Sequence, residues 1–247
     1  MAAPVWVVGV THDQSGGGGV SFTKPSSLAN GDVVCILFYA WGNLLSGANK
    51  PGAPSGFTEI YWQVGAGTFL PSQAIYRKII TNAAGEPASY TVADPGGGYG
   101  SQDAQGGVIG RVTGADTTTP EDDSGVTQGT ANPADTGSVI STSQADALLL
   151  VACVNDVTTS PGTPTGMSVI FAGDGGDSVT YQQTLSAQVT NTNRTSSIGS
   201  TGHWTMGFVA FKPPAGGGGG QLPPGLNGGL DMRPSAQADA DGALLRY

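Results

Sequence analysis

The sequence predicts an all-β protein: a two-sheet, jelly-roll-like β-sandwich with an internal pseudo-repeat, followed by an extended C-terminal arm. Three observations carry this. Short apolar segments rich in β-branched and aromatic residues recur along the chain, each bounded by Gly, Pro, Asn or Asp, the usual punctuation of strands and turns. No segment shows a persuasive helical period; even 145–154, the stretch richest in helix formers, is continuously apolar and reads as a strand. A Pro-Gly-x-Pro-x-Gly turn that leads into a strand occurs twice.

Taken in order, strands are expected at 5–10, 20–23, 33–41, 57–64, 73–80, 89–92 and 107–112. A second series is expected at 139–141, 147–155, 167–172, 179–185, 194–198 and 204–211. Phe57-Thr58-Glu59-Ile60-Tyr61 alternates apolar and polar residues, as a half-buried strand does. The run 33–41 is apolar throughout, which suits a central strand covered on both faces.

The repeat matches Pro51-Gly52-Ala53-Pro54-Ser55-Gly56-Phe57 with Pro161-Gly162-Thr163-Pro164-Thr165-Gly166-Met167. An apolar strand precedes each copy, Tyr76 or Tyr181 lies on the strand after it, and each half ends in a Gly-containing apolar strand. Two halves, about 1–120 and 121–214, are therefore expected to form one sandwich domain over 1–214, because two sheets packed face to face bury both apolar faces at once. Beyond it, 215–247 holds a five-glycine run and the pair Pro223-Pro224, with no strand or helix period. Such a chain is extended or flexible. It spaces Leu222, Leu226, Leu230, Met232, Leu244, Leu245 and Tyr247 along its length, and these are the expected assembly anchors.

Composition narrows the function. The chain is weakly charged, with net charge −9 and 9 basic residues that form no cluster beyond Arg77-Lys78. Nucleic-acid binding needs a basic face, and an anionic membrane repels an acidic chain, so neither partner is expected. No apolar stretch is long enough to span a bilayer as a helix, and Met1-Ala2-Ala3-Pro4 does not read as a signal peptide. Cys35 and Cys153 sit inside apolar runs and read as buried free thiols, although sequence alone does not decide whether they pair.

Catalytic signatures are weak. His12 and His203 are far apart and lack metal-ligand spacing. The chain has no Gly-x-Ser-x-Gly elbow, no His-Glu-x-x-His and no phosphate loop. Glu59, Glu86 and Glu121 are the glutamates, and nothing pairs them with a second carboxylate as glycoside hydrolysis requires. Glu121-Asp122-Asp123 and Asp174-Gly175-Gly176-Asp177 could ligate Ca²⁺, but Asp and Gly are also default turn residues, and the turn reading is preferred. No enzyme activity, cofactor or metal is expected. Among the aromatics, Trp41, Tyr61, Trp62, Tyr99 and Trp204 could stack on sugars, with core packing as the commoner role. Tyr99, inside Gly96-Gly97-Gly98-Tyr99-Gly100, has the best claim to exposure, and Tyr99 and Trp62 are the candidate glycan contacts.

The order Asn30-Gly31-Asp32-Val33-Val34, Pro54-Ser55-Gly56-Phe57, Ile75-Tyr76-Arg77-Lys78, Gly85-Glu86-Pro87-Ala88-Ser89-Tyr90-Thr91-Val92 and Gly114-Ala115-Asp116-Thr117-Thr118-Thr119-Pro120 resembles β-sandwich modules of bacteriophage virion-surface proteins. Minor tail and decoration-type proteins are among these, and similar modules occur in bacterial surface proteins. The likeness covers about 5–213 and continues in Ala147-Leu148-Leu149-Leu150-Val151 and Pro164-Thr165-Gly166-Met167; the arm does not match. The resemblance implies a structural protein of a virion, a tail or tail-tip component or a capsid decoration protein. It would assemble in the bacterial host cytoplasm through contacts with other virion proteins in an oligomeric assembly. The alternative is a carbohydrate- or receptor-binding module for host attachment.

Overall fold

The structure is a computed structural model. It describes residues 3–15, 19–42, 50–65, 70–93, 104–137, 139–157, 159–173 and 178–215. The expected all-β architecture is present. Seven strands come from the first half: β1 (Val5–Ser15), β2 (Val20–Thr23), β3 (Val33–Gly42), β4 (Thr58–Gln63), β5 (Leu70–Ile79), β6 (Ser89–Val92) and β7 (Ala104–Thr113). Seven come from the second: β8 (Glu121–Gly129), β9 (Ala134–Asp135), β10 (Ala147–Asn155), β11 (Ser168–Ala172), β12 (Ser178–Leu185), β13 (Thr195–Ser196) and β14 (Trp204–Phe211). The helical content among the described residues is one 3₁₀ turn, Ala83–Gly85.

The pseudo-repeat is complete at the level of topology. The first half forms a sheet in the order β1-β7-β3-β5-β4 with a separate β2-β6 ladder. The second half repeats it, with β8-β14-β10-β12-β11 and a β9-β13 ladder. Within each half the antiparallel pairs are nested: β1 with β7, β2 with β6 and β3 with β5, and likewise β8 with β14, β9 with β13 and β10 with β12. A long hairpin rolled up in this way is the jelly-roll wrap.

Burial reflects this layering. In β3, Val33, Cys35, Leu37 and Tyr39 join a core shared with Leu148, Leu150, Ala152 and Val154 of β10, so the two large sheets pack face to face. The alternate residues Val34, Ile36, Phe38 and Ala40 face Val20, Phe22, Tyr90 and Val92 of the β2-β6 ladder. Leu149, Val151 and Cys153 of β10 face Ala134 and Ile198 beside the β9-β13 ladder. Both central strands are thus covered on both faces, which is why 33–40 and 147–154 are continuously apolar rather than alternating.

Register shows how closely the copies agree. Ile36 lies opposite Tyr76, and Val151 opposite Tyr181. One residue, Ile60 in β4 and Ile170 in β11, is left unpaired in each edge strand as a β-bulge. Gly56 and Gly166 share φ +78°, the left-handed conformation that the turn before each edge strand requires. Each turn is held from above by a tyrosine: Tyr76 Oη donates to Pro51 O (3.1 Å) and Tyr181 Oη to Pro161 O (2.9 Å). Tyr76→Phe and Tyr181→Phe should therefore each cost about 1–2 kcal/mol, because each removes the hydroxyl that holds its turn; Tyr181 Oη also reaches Gly162 O (3.0 Å). Urea unfolding of the two variants checks this; a large cost at one position and none at the other would mean that the turns are not equivalent.

Three local expectations are corrected. Glu121–Gly129 is a strand, not an acidic turn: it pairs with β14 along its length and is only half-buried. Its carboxylates are taken up by the fold. Glu121 forms an ion pair with Arg77; Asp122 accepts from Ser143 N (2.7 Å) and the Ser143 hydroxyl; Asp123 accepts from Ser141 N (2.6 Å). The strand expected at 139–141 is an isolated bridge, Ile140 with Thr192, and 194–198 contributes only Thr195–Ser196.

The cysteines are both free and buried, Cys35 between the large sheets and Cys153 on the outer side of β10. Burial pushes the Cys153 thiol up to about 12 and the Cys35 thiol higher still. Only thiolate reacts readily with a disulfide reagent. The native protein should resist Ellman's reagent at pH 8, and two thiols should appear on addition of guanidinium. Fast labelling without denaturant would contradict this packing.

Candidate functional site

Strand ends from both halves meet at one end of the compact body. Strands β1, β3 and β4 finish there, and β5 and β7 begin there; in the second half β8, β10 and β11 finish and β12 and β14 begin. Cross-half hydrogen bonds show that the two halves share this end. Thr205 Oγ1, at the start of β14, donates to Pro71 O at the start of β5 (2.7 Å). Gln63 Nε2, at the end of β4, donates to Gln128 Oε1 near the end of β8 (3.0 Å).

The core turns polar here. Ser72, Gln73, Gln105, Asn155, Ser178, Thr180 and Thr205 are all buried at or near these strand ends. Tyr61 Oη donates to Gln73 Oε1 (2.6 Å), between neighbouring strands of the first sheet. Burial holds the Tyr61 phenol well above its ordinary pKa, so it remains a neutral donor at physiological pH.

An open cleft of about 230 Å³ lies at this seam, with Pro71, Gln128, His203 and Thr205 among its lining residues. On the rim, His203 Nδ1 lies 2.9 Å from Asp156 Oδ2. Among the described residues no three His, Cys, Asp or Glu side chains cluster as metal ligands. The chemistry the cleft offers is hydrogen bonding from amides, hydroxyls and one imidazole. Gln128 and Asp156 carried no sequence signal, since an isolated polar residue at a strand end reads as surface.

The residues expected to carry function fall in different places. Trp62, opposite Ala74 in β4, is half-buried and packs on the outer core of the first half, with its indole N–H buried and unpartnered. Trp204 is buried, lines the cleft, and its indole donates to Ala131 O (2.6 Å). Tyr61 packs against the core between the large sheets. Tyr99 belongs to the connection between β6 and β7 and lies outside the described residues, as does the Asp174–Asp177 cluster. Leu222, Leu226, Leu230, Met232, Leu244, Leu245 and Tyr247 also lie outside the described residues.

No protein-family model, no curated protein and no solved structure matches the chain.

Proposed function

We propose that the chain is a non-enzymatic structural protein of a bacteriophage virion, a tail or tail-tip component or a capsid decoration protein, held in place by protein–protein contacts. The observation that carries this reading is the doubled jelly-roll-like wrap, two copies packed through their broad sheets into one compact body. Jelly rolls are a recurrent architecture of viral capsid and lectin domains, so the support is at the level of the fold and not of a site. The likeness of the turn-and-strand motifs to virion-surface modules points the same way. A weakly charged, acidic composition suits contact with protein rather than nucleic acid.

The test is direct. Particles produced from the encoding genome are purified and their proteins quantified by mass spectrometry, and a labelled antibody locates the chain by electron microscopy. The chain should be present at a fixed copy number on the tail or on the capsid surface. Its absence from purified particles overturns the reading.

A further inference from the structure

The duplication produces two seams between the halves, and they are not alike. Trp6 of β1 lies opposite Val112, and Glu121 of β8 lies opposite Phe211. Val112 and Phe211 in turn pair with Val33 and Leu148, which are matching positions of β3 and β10. Trp6 and Glu121 therefore occupy equivalent places in the two copies. Arg77 and Gln182 are equivalent in the same way, each next in sequence to the tyrosine, Tyr76 or Tyr181, that lies opposite Ile36 or Val151. On one seam Glu121 and Arg77 close the gap with an ion pair. On the other, Trp6 and Gln182 line an open cleft of about 380 Å³.

The lining of this cleft divides by chemistry. Trp6, Leu148 and Met167 are apolar, and Ser168, Gln182 and Gln183 are uncharged and polar; among the described residues no charged side chain lines it. Arg194 behind it donates to Gln183 Oε1 from both Nε (3.1 Å) and Nη2 (2.8 Å), which fixes the orientation of that amide. Trp6 is about 95% buried, at 5% relative exposure, yet its indole N–H has no hydrogen-bond partner. Its ring lies against Gly110, where a Cβ would collide with it, so the donor is held in a set position.

We infer that this cleft binds a neutral mono- or disaccharide unit. Its volume is at the small end of ligand pockets, roughly 300–1,000 Å³. An apolar wall beside fixed amides and hydroxyls matches a sugar, which presents a C–H face and a rim of hydroxyls. Anionic ligands find no cation among the described lining residues. The seam that duplication would have closed with an ion pair is in this copy an uncharged slot. The inference is independent of where the chain resides in a particle.

The test uses the full-length protein labelled with ¹⁵N, with the Trp6 indole signal assigned by its loss in Trp6→Phe, which keeps a ring and removes the N–H. Glucose, galactose, N-acetylglucosamine and maltose are titrated to tens of millimolar, with N-acetylneuraminic acid as the charged control. At least one neutral sugar should shift the Trp6 signal saturably, and Gln182→Ala should weaken that binding about fivefold, the effect of one hydrogen bond near 1 kcal/mol. Should Trp6→Phe fold poorly, the half-exposed Gln182 variant still decides the matter. No saturable shift with any neutral sugar overturns the inference. So does binding of the charged sugar alone, or binding that both variants leave unchanged.

Discussion

Gly207→Ala should destabilise the protein by about 3 kcal/mol and lower its melting temperature by roughly 6–12 °C, at the 2–4 °C per kcal/mol usual for a domain of this size. Gly207 lies in β14 opposite Ala152 of β10 and Val126 of β8. A Cβ at this position would fall on the Tyr61 hydroxyl and the Gln73 amide oxygen, both from the first half. Those two atoms are hydrogen-bonded to each other at 2.6 Å. The added methyl must therefore break that bond or push the sheets apart. Overpacking of this kind costs about 1–3 kcal/mol, and the lost buried hydrogen bond adds about 1 kcal/mol. Removing the hydroxyl relieves the crowding, so Gly207→Ala in a Tyr61→Phe background should cost at least about 1 kcal/mol less than in the wild type. Strictly additive costs, measured by urea unfolding of the two single variants and the double variant, would show that the seam is not packed through Tyr61.

The contrast between β3 and β8 shows what could be read in advance. β3 and β10 are continuously apolar over 33–40 and 147–154, where both faces are buried. The small strands β2 and β6 alternate buried and exposed residues, and their sequences Val20-Ser21-Phe22-Thr23 and Ser89-Tyr90-Thr91-Val92 alternate with them. β8 is an edge strand. It pairs on one side only and is half-exposed, so its sequence, Glu121-Asp122-Asp123-Ser124-Gly125-Val126, carries no apolar face to detect. It is a strand because β14 offers it a ladder and because Asp122 and Asp123 tie it to Ser143 and Ser141. Those partners lie 18 to 21 residues away, beyond the reach of any local pattern.

The same limit hid the slot at Trp6. Its sequence reads as core, and the residue is buried. Its equivalence with Glu121 appears only through ladder register, since β1 and β8 share no motif. Which of Tyr61 and Trp62 faces the shared core depends on the bulge at Ile60, which shifts the alternation by one place. An ordinary period-2 reading of β4 has no means of foreseeing that shift.

A chain ended at Ala215 should keep its β circular dichroism and its cooperative melt but lose incorporation into particles. The compact body runs to Ala215, and its last contacts are specific. Lys212 N donates to Pro120 O (3.0 Å), and Asp116 N donates to Lys212 O (2.9 Å), which binds the end of β14 to the link between the halves. The Asp116 carboxylate accepts from Thr119 N (2.9 Å) and Thr118 N (2.7 Å), and with a further bond from the Ala215 backbone these hold its pKa below the ordinary value. The cut therefore keeps Ala215 and removes only residues 216–247. From Gly216 to Tyr247 the sequence alternates glycine and proline punctuation with spaced leucines. Fully extended, such a segment reaches on the order of 100 Å, enough to cross a neighbouring subunit. Docking one leucine contributes about 1.5–3 kcal/mol before ordering costs, and 1.4 kcal/mol is a factor of ten in affinity. Loss of the whole arm should thus reduce incorporation about tenfold or more in a competition between full-length and shortened chains, scored by mass spectrometry of purified particles. Equal incorporation would remove the arm as an anchor and leave the compact body as the contact, and a shortened chain that fails to fold would place part of the core beyond Ala215.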